Sequence, residues 1–220
     1  MSKQLPVIAI IPARANSKRL KNKNIKSFMG KPLIYWTIKQ ALEIKLINRV
    51  IVNTEDSEIA SIAKSYGAEV PFMRPARLSN DIVSATEVIK HTITKLKFNG
   101  IVVLLQPTSP LREKKDIIKG ISLINNKIQS AMSVYQFPHP SELATLNKIG
   151  EKFKPLSKSK TLNIANGAVY IATSNWLLKN KTFYCEDVYT YEMSEENSID
   201  IDYDHQFKIA EAMFKIKKNK

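Results

Sequence analysis

The sequence has few of the residues that build disulfide scaffolds and glycine-rich loops. Cysteine occurs once, at Cys185, and glycine six times among 220 residues. A single cysteine excludes an intramolecular disulfide and is typical of a reducing compartment, so we expect a cytoplasmic protein. No apolar run approaches the roughly 20 residues that span a bilayer, so we expect no membrane insertion.

Several common catalytic signatures are also missing. The sequence has no Walker-type phosphate loop, no Gly-x-Gly-x-x-Gly fingerprint and no Gly-x-Ser-x-Gly elbow. Its three histidines, His91, His139 and His205, are scattered without metal-ligand spacing. These absences argue against P-loop NTPases, dinucleotide-dependent dehydrogenases and elbow-type hydrolases.

Positive charge is abundant, with 34 Lys and Arg against 20 Asp and Glu and a formal net charge of +14. This balance is compatible with nucleic acid, an anionic membrane or small anionic substrates. Nucleic-acid binding favours a concentrated basic patch with interleaved aromatic residues. The lysines here are spread along the chain, so we predict no nucleic-acid partner.

Strand and helix patterns alternate, which predicts an α/β fold with a mostly parallel sheet and helices on both faces. The predicted strands cover residues 7–12, 50–54, 69–72, 101–106, 131–135 and 167–172. Helices are predicted after Pro32, from a cap at Ser57, near Ser84, over 116–124 and from about Asp204. Residues 136–163 are polar and lack regular periodicity, so we interpret them as an inserted segment with a role of its own.

A basic loop follows the first predicted strand. It contains Arg14, Ser17, Lys18, Arg19, Lys21 and Lys23. Ligands of open α/β sheets bind beyond the carboxyl ends of the strands, and these cationic and hydroxyl groups suit a polyphosphate. The alternative is a solvated basic loop after a buried strand.

Two more segments offer polar groups at predicted strand ends. Gln106, Thr108 and Ser109 lie in a turn stiffened by two prolines, where they could hydrogen-bond a polar ligand. Gly167 follows Asn166 at the start of a predicted strand, where a backbone can approach a ligand closely. In both cases a simple turn is the alternative.

Asp200 and Asp202 are two residues apart. In an extended segment they point the same way, and two carboxylates near a phosphate site suit a hard cation such as Mg²⁺. The alternative is an acidic turn that caps the last helix, but Asp204 is the better candidate for that cap.

Taken together, these motifs resemble the CMP-N-acetylneuraminate synthetases, the cytidylyltransferases that activate sialic acids, and their legionaminic acid relatives. The resemblance is carried by residues 11–19, 23–24, 74–78, 105–112, 166–171 and 198–202, in the family's order. It implies one Rossmann-like nucleotidyltransferase domain over residues 1–220, and a homodimer in which residues 136–163 help close the partner's sugar site. It also implies CTP, Mg²⁺ and a nonulosonic acid as reactants, with a CMP-sugar and pyrophosphate as products.

The resemblance also assigns roles to individual residues. Arg14, Ser17 and Lys23 would hold the triphosphate, Asn24 the ribose, and Arg74 and Ser84 the cytosine; Gln106, Thr108 and Ser109 would face the sugar, and Asp200 and Asp202 would bind Mg²⁺. Arg14, Lys23 and Asp202 form the implied catalytic set. Lys18, Arg19 and Lys21 are then interpreted as charges that contribute to the electrostatic field or are solvated.

The sequence departs from the family pattern in two places, the first in the phosphate loop, where we expect function to survive, and the second near the sugar. Ala15 and Asn16 stand where many members have two glycines, and Ile164 stands where some have an arginine near the sugar carboxylate. N-acetylneuraminate is the first choice of sugar and legionaminate the next, with pseudaminate or a 3-deoxy-octulosonate as alternatives. A rival of another class is an inactive basic protein that binds nucleotide or RNA, which the carboxylate pair argues against.

Overall fold

The computed structural model describes residues 5–15, 17–80, 82–138, 161–180 and 182–219. Its strands are β1 (Val7–Pro12), β2 (Ser27–Phe28), β3 (Lys31–Pro32), β4 (Arg49–Asn53), β5 (Ile101–Leu105), β6 (Ser130–Phe137), β7 (Leu162–Thr173) and β8 (Tyr189–Glu192). Its α-helices are α1 (Leu33–Leu42), α2 (Ser57–Ser65), α3 (Ala85–Leu96), α4 (Lys114–Leu123), α5 (Ser174–Lys179) and α6 (Asp204–Lys218). Within these ranges, no helix combines the length and apolar character that crossing a membrane requires.

The main sheet of the described residues has the strand order β4-β1-β5-β7-β6-β8. Strands β4, β1 and β5 are parallel, β7 is antiparallel to both its neighbours, and β8 is parallel to β6. The predicted α/β sheet of mostly parallel strands is therefore confirmed. The parallel strands end at one edge, which brings the polar segments after β1, β4 and β5 together.

Strand β1 shows why this sheet is covered on both faces. Ile8 and Ile10 belong to one apolar cluster with α3, whereas Ala9 and Ile11 belong to another with α1. Alternate side chains of a strand point to opposite faces. A strand packed on both sides therefore reads as one continuous apolar run.

Helix α6 packs over the β2-β3 hairpin through a third apolar cluster. The rings of Phe28 and Phe207 lie edge to face with their centroids 5.5 Å apart, and Leu33 and Ala210 are fully buried beside them. This packing fixes the start of α6, and with it the preceding segment that contains Asp200 and Asp202.

Several predicted boundaries are wrong. Residues 69–72 form no strand, only a single bridge between Ile51 and Glu69. Helix α2 is capped by Asp56, whose side chain accepts from Ile59 N, and Ser57 is its first residue. Asp204 is likewise the first residue of α6, with Tyr203 at the cap. At α2 the carboxylate of Asp56 can cap the helix as well as the hydroxyl of Ser57, and only the backbone conformation decides between them.

The predicted insertion at 136–163 begins and ends within strands. Gln136 pairs with Asn163 and Phe137 with Leu162, so β6 and β7 extend beyond the predicted strands 131–135 and 167–172. Residues 139–160, including His139, lie outside the described residues.

Candidate active site

A cleft of about 540 Å³ lies beyond the carboxyl ends of β1 and β5. Eight of the eleven predicted site residues line it: Arg14, Ser17, Lys23, Asn24, Arg74, Gln106, Thr108 and Asp202. The cleft thus brings together residues that are almost 190 positions apart in sequence. The predicted residues Ser84, Ser109 and Asp200 are not part of this wall.

The side chains of Ser84 and Ser109 have other surroundings. Ser84 is exposed and caps α3, accepting from Glu87 N at 3.2 Å while Glu87 accepts from Ser84 N at 3.0 Å. Ser109 is fully buried, and its hydroxyl has no hydrogen-bond partner among the described residues. The roles predicted for these two residues therefore stay predictions, and neither residue is among those that line the cleft.

Asn24 holds the basic loop from behind. Its side-chain amide donates to the carbonyl oxygen of Arg14 at 2.9 Å, and the residue is only 5% exposed. A short 3₁₀ turn, Lys23–Ile25, begins after Asn22, which has a positive φ of 53°. This turn places Lys23 and Asn24 side by side on the cleft wall.

Lys23 and Arg19 both contact Asp202. The ammonium of Lys23 donates to the carbonyl of Ile201 at 2.7 Å and to Asp202 Oδ1 at 3.0 Å. Arg19 Nη1 lies 2.9 Å from Asp202 Oδ2, and Arg19 lines the cleft. The Arg19 side chain stays more than half exposed, so its interpretation as field or solvated charge stays a prediction, and it shares this one carboxylate with Lys23.

Asp200 lies beside Asp202 in a less polar setting. Its Oδ1 is buried without a hydrogen-bond partner among the described residues. Burial raises the pKa of Asp200, against the opposing effect of a hydrogen bond from Thr108 and the nearby cations Lys23 and Arg19. An ionisable oxygen buried without a donor is a group that a bound cation would satisfy.

The carboxylate pair fits Mg²⁺, which proteins commonly bind through one or two carboxylates together with substrate phosphates and water. Within the described ranges, no group of three His, Cys, Asp or Glu side chains could hold a metal alone. Asp200 and Asp202 would therefore need ligands from a bound polyphosphate. The backbone supports this segment, since Ile201 N donates to Thr108 O at 2.8 Å.

A bulge in β7 places Gly167 against the carboxylates. Residues 166–169 of β7 lie opposite Ser133 alone in β6, and Gly167 has a φ of +73°. A Cβ on Gly167 would lie 3.6 Å from Asp200 Oδ2 and 3.8 Å from Gln106 Nε2. The bulge therefore brings this backbone close to two predicted site side chains.

Asn166, the residue before that glycine, connects the bulge to the carboxylate segment. Its Oδ1 accepts from Ser133 Oγ at 2.6 Å, and its Nδ2 donates to Ser198 Oγ at 2.8 Å. The side chain is almost fully buried. Asn166 thus ties β6, β7 and residues 198–202 together.

Arg112 is a fully buried cation behind the cleft. Its Nη1 donates to Ala168 O at 2.7 Å and to Gln106 O at 3.3 Å, and its Nη2 donates to Thr37 Oγ1 at 3.0 Å. Burial lowers the pKa of Arg112 to about 10. The guanidinium joins the turn after β5 to the bulge of β7.

Arg74 also lines the cleft and is held by Glu55. Arg74 Nε lies 3.2 Å from Glu55 Oε2 and 3.2 Å from Ser79 Oγ, and a second contact joins Arg74 Nη2 to the same carboxylate oxygen. Glu55 is not among the predicted site residues. The signal was available, because Glu55 follows β4 at the same sheet edge as the other site residues.

Comparison with solved structures supports the fold. A CMP:2-keto-3-deoxy-manno-octonic acid synthetase complexed with CTP superimposes with a TM-score of 0.73 at 18% identity, covering 96% of this chain and 99% of that one. A 4-diphosphocytidyl-2C-methyl-D-erythritol synthase gives 0.71 at 10% identity, covering 97% and 100%. Both likenesses show the α/β fold that this chain shares with those two synthases.

Within that fold the sequence identifies a family. The family model described as "Cytidylyltransferase" matches residues 8–218, and the chain belongs to this cytidylyltransferase family. N-acylneuraminate cytidylyltransferase of Escherichia coli O18:K1:H7 is 35% identical over 93% of this chain, which spans 51% of that protein. The chain thus has about half the length of that relative.

Two relatives match over nearly their whole length. CMP-N,N'-diacetyllegionaminic acid synthase of Legionella pneumophila is 32% identical over 96% of this chain and 97% of that protein. Pseudaminic acid cytidylyltransferase of Campylobacter jejuni is 31% identical over 95% of this chain and 96% of that protein. The chain is therefore similar to enzymes named for three different acidic sugars.

Proposed function

We propose that the protein transfers CMP from CTP to the anomeric hydroxyl of a nonulosonic acid and releases pyrophosphate, with Mg²⁺ as cofactor. The observation that carries this proposal is the single cleft where Arg14, Ser17 and Lys23 share a wall with Gln106 and Asp202. The similarity to cytidylyltransferases for sialic, legionaminic and pseudaminic acids supports the substrate class.

The chemistry required is an in-line attack of the sugar hydroxyl on the α-phosphorus with departure of pyrophosphate. Such phosphoryl chemistry depends on positioning and charge neutralisation rather than on a protein nucleophile. Arg14, Ser17 and Lys23 would hold the triphosphate. The amide of Asn24 donates to Arg14 O and fixes the loop, and the carbonyl of Ile201 accepts from Lys23 Nζ and fixes the ammonium. Mg²⁺ bound by Asp200 and Asp202 would supply Lewis-acid neutralisation of the phosphate oxygens.

The two substrates would meet across the cleft. Arg74 and Asn24 would face the nucleoside, while Gln106 and Thr108 would face the sugar. Ser84 and Ser109 have less support, because Ser84 caps α3 and Ser109 is buried. N-acetylneuraminate is our first choice of acceptor and legionaminate our second, and we propose a homodimer that works in the cytoplasm.

Pyrophosphate release tests the proposal. The protein is incubated with each of the four NTPs, Mg²⁺ and a panel containing N-acetylneuraminate, legionaminate, pseudaminate and a 3-deoxy-octulosonate. We expect release with CTP and at least one nonulosonic acid, and loss of release with EDTA. If CTP gives no release with any nonulosonic acid, the proposed function is overturned. Release with the octulosonate alone would favour the alternative, a cytidylyltransferase for a 3-deoxy-octulosonate. Equal rates with CTP and UTP would remove the cytosine role of Arg74.

A further inference from the structure

Glu55 lies behind the cleft, where it contacts both the phosphate loop and the nucleobase side. Its Oε1 accepts from the backbone N–H of Ala15 at 3.0 Å. Its Oε2 accepts from Arg74 Nε at 3.2 Å and from Arg74 Nη2. One carboxylate therefore holds the basic loop after β1 and the guanidinium that faces the nucleoside.

The backbone around this carboxylate is well fixed. Ala13 N donates to Asn53 O at 3.0 Å, and Arg74 N donates to Thr54 O at 2.7 Å. These bonds align the segments that follow β1 and β4, and Glu55 adds the side-chain connection between them. The Arg74 side chain is 4% exposed and that of Glu55 20% exposed, so the pair is screened from water far more than a surface ion pair.

Charge alone does not explain a carboxylate at this place. An anion beside a loop that binds triphosphate repels the ligand. The contact with Arg74 offsets that repulsion, but an apolar residue would avoid it altogether. The benefit that fits the geometry is positional, because a carboxylate has two oxygens and can hold two donors in a fixed relation.

We propose that Glu55 is a positioning residue that fixes the phosphate loop and Arg74 as one unit, so that triphosphate affinity and nucleobase choice are coupled through it. This inference rests on the proposed function, since it assigns Arg14, Ser17 and Lys23 to the triphosphate and Arg74 to the base. Glu55 itself is not among the described residues that line the cleft.

Two substitutions separate the two contacts of Glu55. Glu55→Gln keeps an acceptor for Ala15 N–H but loses the anion that holds Arg74, whereas Glu55→Ala loses both contacts. Glu69→Ala is the matched control, because Glu69 forms a carboxylate–guanidinium pair with Arg49 at the edge strand, outside the cleft. Thermal unfolding of each variant checks that it is folded.

Binding of inorganic tripolyphosphate, measured by calorimetry, reports the loop without a nucleobase. We expect Glu55→Ala to weaken this binding by about fivefold, the effect of one lost hydrogen bond, and Glu55→Gln to retain it. In steady-state assays both variants should lose about fivefold or more of the preference for CTP over UTP, mainly through KM, with Glu69→Ala unchanged.

Tripolyphosphate affinity that is unchanged or higher in Glu55→Ala overturns the inference, since Glu55 would then act by its charge alone or not at all. An unchanged CTP preference in Glu55→Gln overturns it equally. If the wild-type protein binds no tripolyphosphate and turns over no CTP, the proposed function fails instead, so the two failures are distinguishable.

Discussion

The ammonium of Lys23 lies 3.0 Å from Asp202 Oδ1, and a carbonyl oxygen of the same segment, that of Ile201, holds it at 2.7 Å. Arg19 occupies the other oxygen of Asp202. Both oxygens of the predicted metal ligand are therefore bound to cations. If a polyphosphate and Mg²⁺ bind here, Lys23 and Arg19 would contact the phosphate oxygens, and Asp202 would hold the metal.

Asp202→Asn should abolish most turnover while leaving the fold intact. The amide keeps the size of the side chain but removes the charge that pairs with Lys23 and that the proposed Mg²⁺ would require. We expect CMP-sugar formation to fall by at least about a hundredfold, the scale for losing one preorganised electrostatic group, with a thermal midpoint close to that of the wild type. Pyrophosphate release and a thermal scan measure the two effects.

The matched control is Asp204→Asn, two residues further on. Asp204 is exposed and pairs with Lys26 and Lys208 at the surface, where ion pairs contribute little. Its activity should stay near that of the wild type. Full turnover of Asp202→Asn would remove Asp202 from the metal site.

The elements most visible in the sequence are those whose signal is local. β1 is found with its observed bounds, because a strand buried on both faces reads as an apolar run and Pro12 ends it. β8 is not predicted, because Tyr189–Glu192 is a short, mostly exposed edge strand that exists only through its pairing with β6. Tertiary pairing, rather than local propensity, decides such a strand.

The site residues likewise include some that the sequence predicts and some whose contacts it does not predict. Lys23 and Asp202 could be found because each follows or flanks a recognisable segment, and the sheet brings those segments together. The place of Arg19 and Glu55 at the same sheet edge was visible in the sequence, but their contact partners were not, because those partners lie 183 and 40 positions away. The burial of Ser109 could not be predicted either, because the sequence of a turn does not show which way a side chain points.

Gly167→Ala should lower activity more than its loss of stability explains. At a φ of +73° an L-residue is strained by about 1–2 kcal/mol, and relaxation of that strain would move the bulge against Asp200 and Gln106. Gly30→Ala is the control, because Gly30 has a φ of +78° and no atom within 4 Å of its added Cβ.

Both alanine variants should lose similar unfolding free energy in urea. Only Gly167→Ala should lose turnover, by about tenfold or more, because a misplacement near the chemistry is amplified in rate. Equal activity of the two variants at matched stability would show that the bulge does not position the site.

Arg112→Met should destabilise the protein strongly. The change leaves the carbonyls of Ala168 and Gln106 without their guanidinium donor inside the core, where an unsatisfied polar group costs about 1–3 kcal/mol. We expect a loss of about 2–4 kcal/mol in urea unfolding. Arg49→Met, which breaks the exposed pair with Glu69, should cost under about 1 kcal/mol. Equal urea midpoints of Arg112→Met and Arg49→Met would show that the buried contacts of Arg112 do not stabilise the fold.

His91 should make stability fall as the solution is acidified. Its Nδ1 is buried without a hydrogen-bond partner among the described residues, and its ring lies against Phe72. Burial lowers the pKa of His91 below 6.5, and the charges of Arg77 and Lys95 act in the same direction.

Between that lowered pKa and 6.5 the unfolded chain binds more protons than the folded one, so stability rises with pH there. This stability is lost as pH falls from 6.5 to the folded pKa, where the partly buried imidazole takes a charge. His91→Gln should therefore flatten the dependence of urea unfolding on pH below 6.5 relative to the wild type. His205→Gln, at an exposed position of α6, should leave that dependence as it is. An unchanged pH slope in His91→Gln would show that other groups cause the acid sensitivity.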